Sequence, residues 1–574
     1  MARPNDEVAA LLREYADLLA ITGKDAFKQR AYERAARAIG GHPADVSRLD
    51  AGELRAIPGV GRSIADKVEE YLRTGRVAAV EAARGELPPG VRELTAVPGL
   101  GPKKALTLCR ERGIASVDDL AAALREGRLA GLRGFGPRTV ENLLRGVELL
   151  RASGGRVLLD AATALAEEAV AALEAAPGCE RAAPAGSLRR MRETVGDLDL
   201  LAAAREAGPV MDAFAALPFA AEVIARGETA MAVRTPGGLR IDLRVLPPDA
   251  WGAGLLHFTG SREHAARIRE LAARRGLRLS EYGLFDAETG RRRAARTEAG
   301  VYRRLGLPWI PPVLREDRGE IEAARRGELP RLVTEEDLRG DLHTHTSLTD
   351  GLAPLSEMAA VATERGYEWF AVTDHAPDLR MQRMTKEKIL AQREELRALQ
   401  GSFGGMRLLH GTELNIGPEG GVDWPGDFLA GFDVCVASIH SHFGLDRAAQ
   451  TRRLIRACEN PHVHVIGHPT TRKLGSRGPI DADLDAVFAA CARTGTALEI
   501  NGHPNRLDLR DEHVLRARAH GVLFAVDSDA HTPGELAHTR YGIGTAQRGW
   551  LTPAEVVTTW PLDRLRRFLA ERGR

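Results

Sequence analysis

No stretch of this chain approaches 18 consecutive uncharged apolar residues, so no membrane-spanning helix is expected. The first residues include Asp6 and Glu7 and lack an apolar run, so no secretory leader is expected either. Cysteine is scarce: Cys109, Cys179, Cys435, Cys458 and Cys491 lie far apart, with no Cys-x-x-Cys pair. That usage speaks against a disulfide framework or zinc ribbon and suits reduced thiols in a cytoplasm. Net charge is almost missing too, with 80 Lys and Arg against 79 Asp and Glu. A nucleic-acid partner must therefore be argued from local groups, not from the sum.

What the chain does have is length and two dense segments of metal-binding chemistry. At 574 residues it exceeds a single core, and three to five domains are expected. From Asp341 to Asp350 it reads DLHTHTSLTD, with His343 and His345 two apart and Asp350 behind them. From Gly186 to Leu201 it reads GSLRRMRETVGDLDLL, with Asp197 and Asp199 two apart behind a Gly-Ser-x-x-Arg. Strand residues i and i+2 share a face, so each pair can converge on one ion. Of 17 histidines, 14 lie at or beyond His343, an excess that calls for metal.

Residues 1–150 read as successive helices. Three turns there are alike: IPGVGRSIADKV from Ile57, VPGLGPKKALTL from Val97 and LRGFGPRTVENL from Leu132. Each puts a Gly-x-Gly (Gly59 and Gly61, Gly99 and Gly101, Gly134 and Gly136) ahead of a helix. Such a turn presents backbone N–H groups to a phosphate without reading base sequence. These turns resemble the helix-hairpin-helix motifs of DNA-repair proteins. Residues 151–250 are mixed, with a helix over 161–175 and strands near 197–202, 231–234 and 239–245. Pro308 to Glu316 (PWIPPVLRE) reads as a stiff spacer. Beyond Asp341, short apolar strands alternate with loops carrying His or Asp and with helices, the rhythm of an α/β barrel with ligands at strand ends.

Two carboxylates on one strand need a third, and Asp242 in LRIDLRV is placed to supply it, giving a site for two Mg²⁺ or Mn²⁺. Gly186, Ser187 and Arg190 offer N–H, hydroxyl and guanidinium donors to triphosphate oxygens. With Leu255 to Phe285 following, this region resembles family X DNA polymerases, with palm and thumb. The resemblance implies nucleotide contacts from Gly186, Ser187, Arg190, Gly196, Phe258, Gly260 and Arg269. His257 and Ala265 depart from that family, standing where a tyrosine and an asparagine are found. The amino-terminal segment resembles the family's 5′-deoxyribose-phosphate lyase domain. Lys67 sits at the Schiff-base position and reads either as that nucleophile or as a phosphate-binding lysine. The companion lysines are Arg34 and Ser63 here.

Beyond Asp341 the chain resembles the PHP (polymerase and histidinol phosphatase) domain, a distorted (β/α)7 barrel. That resemblance implies nine ligands: His343, His345, Asp350, His375, Glu413, His440, His468, Asp529 and His531. They would hold up to three ions of Mn²⁺, Zn²⁺ or Fe²⁺. Glu413 would bridge an ion on His343, His345 and Asp529 to one on His440 and His468; Asp350, His375 and His531 would hold a third. Arg472 in GHPTTR reads as a phosphate clamp or as a surface arginine.

The expected architecture is multidomain α and α/β. Residues 1–85 form a lyase-like domain, 86–150 fingers, 151–250 the palm, 251–316 the thumb, 317–340 a linker and 341–574 the PHP domain. The expected function is DNA polymerisation across short gaps in repair, joined to Mn²⁺-dependent 3′–5′ degradation. Gapped or nicked duplex and dNTP are the partners, in a monomeric, cytoplasmic, nucleoid-associated enzyme. The alternative is a phosphatase of small phosphorylated metabolites fused to a nucleotidyltransferase.

Overall fold

The computed structural model describes residues 4–572 except 23–25, 41, 43, 86, 88–90, 96, 98, 99, 130, 133, 137, 138, 141, 142, 145, 148–154, 380 and 381. Helices dominate as far as Val147 and pack into two principal apolar cores. One gathers Val8, Leu12, Ile39, Leu54 and Val68; the other gathers Leu94, Leu108, Leu120 and Leu143. The three glycine turns share one backbone pattern. Val60 N–H donates to Ile57 O at 3.0 Å, Leu100 to Val97 at 3.0 Å and Phe135 to Leu132 at 3.1 Å. One step earlier, Ile57 donates to Leu54 O, Val97 to Leu94 O and Leu132 to Leu129 O. Gly59 and Gly134 take φ of 84° and 88°, left-handed values that a side chain would strain. Gly61 and Gly101 cap the helices Arg62–Thr74 and Pro102–Arg112. Gly99 lies outside the described residues.

The palm begins with β1 (Val157–Leu158) and the helix Leu159–Glu174. It continues through β2 (Cys179–Pro184), β3 (Thr194–Val195), β4 (Asp197–Ala204), β5 (Glu222–Arg226), β6 (Ala230–Arg234) and β7 (Arg240–Leu246). The main sheet runs β2-β4-β7-β6-β5, with β4 and β7 parallel and the other pairs antiparallel. Strand β4 is buried on both faces. Leu198, Leu200, Ala202 and Ala204 share the core that includes the helix Leu159–Glu174, whereas Leu201 and Ala203 pack with Trp251 and Leu255. The period of two carries this second face back to Asp197 and Asp199.

Helices Trp251–Thr259 and Arg262–Ala273 lead to a small sheet of β8 (Leu277–Ser280), β9 (Gly283–Asp286) and β10 (Arg292–Ala294). The spacer expected at Pro308–Glu316 is not one. Ile310, Val313 and Leu314 are buried in the core of this unit, and Arg315 is 0 % exposed. The expected linker over 317–340 is corrected likewise: Ile321 and Ala324 of helix Glu320–Arg326 join that core, and Val333 joins the core of the barrel. The prolines set the chain's direction, while the apolar residues among and after them bury it.

Seven strands follow: β11 (Gly340–Asp341), β12 (Trp369–Val372), β13 (Arg407–Asn415), β14 (Val434–Ser438), β15 (Val465–Ile466), β16 (Ala497–Asn501) and β17 (Phe524–Asp527). They pair in sequence order, all parallel. Beyond β17 the chain returns to the first strand, where Asp529 N–H donates to His343 O and His345 N–H to Ala530 O. Along β12, Trp369 and Ala371 face one core and Phe370 and Val372 the other. The first core is completed by Trp560, Leu565, Phe568 and Leu569, which close one end of the barrel. Leu352, 8 % exposed, belongs instead to the first amino-terminal core, and its N–H donates to His531 O at 2.7 Å. Among the described residues no helix is long and apolar enough to cross a membrane.

Two candidate active sites

The palm site is built where β4 and β7 run in register. Asp199 stands opposite Asp242, and Asp197 opposite Arg240. The turn Gly186–Arg190 folds over them: Gly186 has φ 56°, and any Cβ there would collide with the Asp199 carboxylate. Burial first, then the charges of Asp197 and Asp242, push Asp199 up to about 7 despite Arg190 and Arg240. Such crowding of carboxylates fits a cation site. Arg240 grips Asp242 with two bonds of 2.7 Å, so Asp242 must share or leave that partner to act as a third ligand.

A cleft of about 330 Å³ opens above these groups. Gly186, Ser187, Arg190, Asp197, Asp199, Phe258, Gly260 and Arg269 line it, together with His257 and Ala265. The Ser187 hydroxyl is buried in this structure without a hydrogen-bond partner, which suits a group that meets ligand. Gly196 stands apart from the lining, with Arg156 close against it. The neighbouring Arg189 ties the turn to the thumb through Glu298 (2.8 and 2.9 Å), which also accepts from Arg315 at 2.7 Å.

Farther away, Lys67 lines a separate cleft with Arg62, Ser63, Asp66 and Glu70. Its Nζ lies 3.1 Å from both Ser63 O and Ser63 Oγ, and 5.8 Å from the Tyr32 ring.

The barrel site gathers all nine expected residues at the carboxyl ends of strands. Three groups bring ligand atoms within 4.8 Å of one another: His343, His345 and Asp529; His345, Asp350, His375 and His531; and His375, Glu413 and His440. His345 and His375 thus each belong to two groups. Glu413 is the hub, with His375 Nδ1 at 2.7 Å and His440 Nε2 and His468 Nε2 each at 3.1 Å. Burial alone would raise this carboxyl, but His440, His375 and His343 hold it well below the usual carboxylate range. His343 Nε2, both ring nitrogens of His345, His468 Nδ1 and Asp350 Oδ1 are buried without a hydrogen-bond partner. Orphaned imidazole nitrogens facing carboxylates fit divalent cations. Cations bound there would supply Lewis acidity toward a phosphate and favour attack of water on it.

Several side chains that the sequence reading left without a role orient these ligands. Glu499 Oε1 lies 2.6 Å from His343 Nδ1, which turns Nε2 toward Glu413 and Asp529. Its other oxygen accepts from the His468 N–H and from Asn501 Nδ2. Asn415 Oδ1 lies 2.8 Å from His440 Nδ1. The available signal was two polar residues on one face of an apolar strand, Glu413 with Asn415 and Glu499 with Asn501. Arg472 is 6 % exposed and bonds Glu193 of the palm at 2.8 Å and the Leu507 carbonyl, so its charge is spent between units. Arg506, with Nε 3.3 Å from Asp529 Oδ2, brings a cation to the cluster.

A carboxylate-bearing palm with its thumb, joined to a barrel lined by imidazoles and carboxylates, defines a metal-dependent enzyme with two centres. The comparisons with known proteins agree part by part. Residues 3–77 match a helix-hairpin-helix domain, 91–148 a SAM-like helix-hairpin-helix tandem, 254–316 the DNA polymerase beta thumb and 341–503 the PHP domain. DNA polymerase/3′-5′ exonuclease PolX of Bacillus subtilis (strain 168) is 33% identical over 566 residues, covering 98% of this chain and 99% of that protein. Two proteins named probable phosphatase match only part of the chain. That of Syntrophotalea carbinolica is 31% identical over 229 residues, 38% of this chain and 90% of its own. That of Shewanella sediminis is 29% identical over 243 residues, 41% of this chain and 94% of its own. The chain belongs to the family X DNA polymerases that carry a carboxy-terminal PHP domain.

Proposed function

We propose that this chain adds nucleotides to DNA 3′ ends at the Asp197, Asp199 and Asp242 cleft and removes them at the barrel cluster. One observation carries the reading: two separately built acidic centres stand in one chain that aligns end to end with a polymerase/exonuclease. Three like-built glycine turns support a grip on duplex backbone, and short gaps or nicks are the substrates that grip and thumb suit. The work proposed is gap filling in base excision repair and end joining. Both proposed centres draw their residues from one chain, which supports a monomer, and DNA as partner supports a location with the nucleoid in the cytoplasm. We assign Mg²⁺ or Mn²⁺ to the palm and Mn²⁺, ahead of Zn²⁺ or Fe²⁺, to the mixed imidazole and carboxylate cluster. Lys67 supports an added 5′-deoxyribose-phosphate lyase step; AP endonuclease cleavage would fall to the barrel.

In polymerisation, Arg190, Ser187 and the N–H groups of the Gly186 turn bind and orient the triphosphate, and Asp197, Asp199 and Asp242 would hold the cations beside it. The test is extension of a labelled primer across a one-nucleotide gap. Asp199→Ala should abolish incorporation and leave 3′ degradation, and His343→Ala with His345→Ala should do the reverse. Loss of both activities in either well-folded variant would refute two independent centres. A phosphatase of small metabolites would hydrolyse a free sugar phosphate faster than a DNA end; the glycine turns argue against it.

A further inference from the structure

The polymerase cleft and the barrel meet at one arginine. Arg548 ends the barrel helix Thr539–Arg548, and its side chain is 3 % exposed. Its Nε and Nη2 donate to Asp511 Oδ2 at 3.0 and 2.6 Å. Its Nη1 donates to Glu316 Oε1 at 2.8 Å and to the Arg190 backbone carbonyl at 2.7 Å. One guanidinium therefore joins the barrel, the end of the thumb and the turn that lines the cleft. Glu316 also accepts from Arg190 Nε at 3.0 Å, while Arg190 Nη1 donates to Thr259 O at 2.5 Å. Two nitrogens of Arg190 are thus held, and its Nη2 has no partner among the described residues.

The junction around this arginine is closely fitted. Met191 takes a left-handed φ of 54°, and a Cβ on Gly544 of the Arg548 helix would lie 2.5 Å from the Met191 methyl. Leu507 and Tyr541 of the barrel complete the apolar core of the palm. Arg318 adds a second guanidinium to Asp511 at 3.0 Å.

We infer that Arg548 is a positioning residue for nucleotide binding, sharing the Glu316 carboxylate so that Arg190 stays available to the cleft. The inference rests on the reading of that cleft as the triphosphate site. Glu316, 12 % exposed, accepts through the one oxygen Oε1 from both Arg190 and Arg548, with Arg192 Nη1 farther off at 3.9 Å. Without Arg548, only the more distant Arg192 Nη1 at 3.9 Å would compete with Arg190 for that carboxylate, and the favoured arrangement of an arginine–carboxylate pair is bidentate. Nη2, the nitrogen left for ligand, would turn from the cleft toward Glu316, and the charge offered to a phosphate would be neutralised. The barrel thereby acts on polymerisation without touching the substrate.

The experiment measures kcat and KM for dNTP in one-nucleotide gap filling by the full-length protein. Arg548→Met should raise KM about ten-fold with kcat nearly unchanged, as expected when binding of the ground state and transition state falls equally. Arg548→Lys keeps the charge but cannot reach all three partners, and should raise KM by a smaller factor. Adding Glu316→Gln to Arg548→Met should return KM most of the way, because a neutral amide no longer captures Arg190. Degradation of a labelled 3′ end should stay at the wild-type rate in all three and reports an intact barrel. An unchanged KM in Arg548→Met would overturn the inference, as would a raised KM that Glu316→Gln fails to restore. If Arg548→Met does not fold, Arg548→Lys decides alone, and a wild-type KM there overturns the inference. Asp199→Ala tests the cleft itself: incorporation surviving that change would sink the triphosphate reading, whatever Arg548 does.

Discussion

Glu499 holds no place among the nine proposed ligands, yet its two oxygens reach two of them. One lies 2.6 Å from His343 Nδ1; the other accepts from the His468 backbone N–H. Replacing it with glutamine keeps the volume but removes the charge that fixes the His343 ring and strengthens its basicity. Loss of such a supporting group costs roughly 10- to 100-fold in metal affinity, or about 1.4–2.7 kcal/mol. Both ligands it supports also lie beside Glu413, so the upper end of that range is expected. The assay is the rate of 3′-end degradation against Mn²⁺ concentration for wild type and Glu499→Gln. The half-saturating concentration should rise 10- to 100-fold with a nearly unchanged plateau, and gap filling should be unaffected. An unchanged half-saturating concentration would refute the reasoning. So would a lowered plateau at the same concentration, because Glu499 would then act on the chemistry and not on the holding of the ligand.

Glu298 is held at about 2 instead of 4.5: burial opposes the shift, and Arg189 and Arg315 override it. A depressed carboxyl stabilises above its unfolded value, so roughly 3 kcal/mol should be present above pH 4.5 and vanish as pH falls toward 2. Glu298→Gln should accordingly lower the apparent Tm at pH 7, with the gap to wild type narrowing below pH 4.5; a constant gap would contradict it. Chelation should stop both activities, with Mg²⁺ restoring incorporation and Mn²⁺ required for degradation; restoration of degradation by Mg²⁺ alone would contradict the metal assignment. Borohydride trapping on abasic-site DNA should fall sharply in Lys67→Ala, and undiminished trapping would move the lyase amine elsewhere.

The grouping of residues at both candidate sites was legible wherever it is written locally. Asp197 and Asp199 stand two apart on a strand, and the alternating apolar residues of LRIDLRV show the face that Asp242 shares. The repeated Gly-x-Gly turns were legible for the same reason, since each is closed by backbone bonds three residues long. Strands β2 and β5 were not read: CERAAP has little β-branched content, and Glu222–Arg226 is a largely exposed edge strand. The prolines from Pro308 suggested a spacer because composition cannot show that Ile310, Val313 and Leu314 find a core. Pairings across hundreds of residues were beyond reach in principle. Arg548 with Glu316 and Arg472 with Glu193 join positions 232 and 279 residues apart, and a charged residue looks the same whether its partner is water or a distant carboxylate.

Leu352 ties the amino-terminal helices to the barrel. Its side chain completes their core while its N–H is anchored to the carbonyl of His531. Any movement of these helices relative to the barrel would either carry this leucine with them or uncover it, and uncovering it costs about 1.5–3 kcal/mol. Carrying it pulls on the loop that presents His531 beside Asp350 and His375. One leucine thus links the amino-terminal helices to one corner of the barrel cluster, so the two cannot be displaced independently without cost.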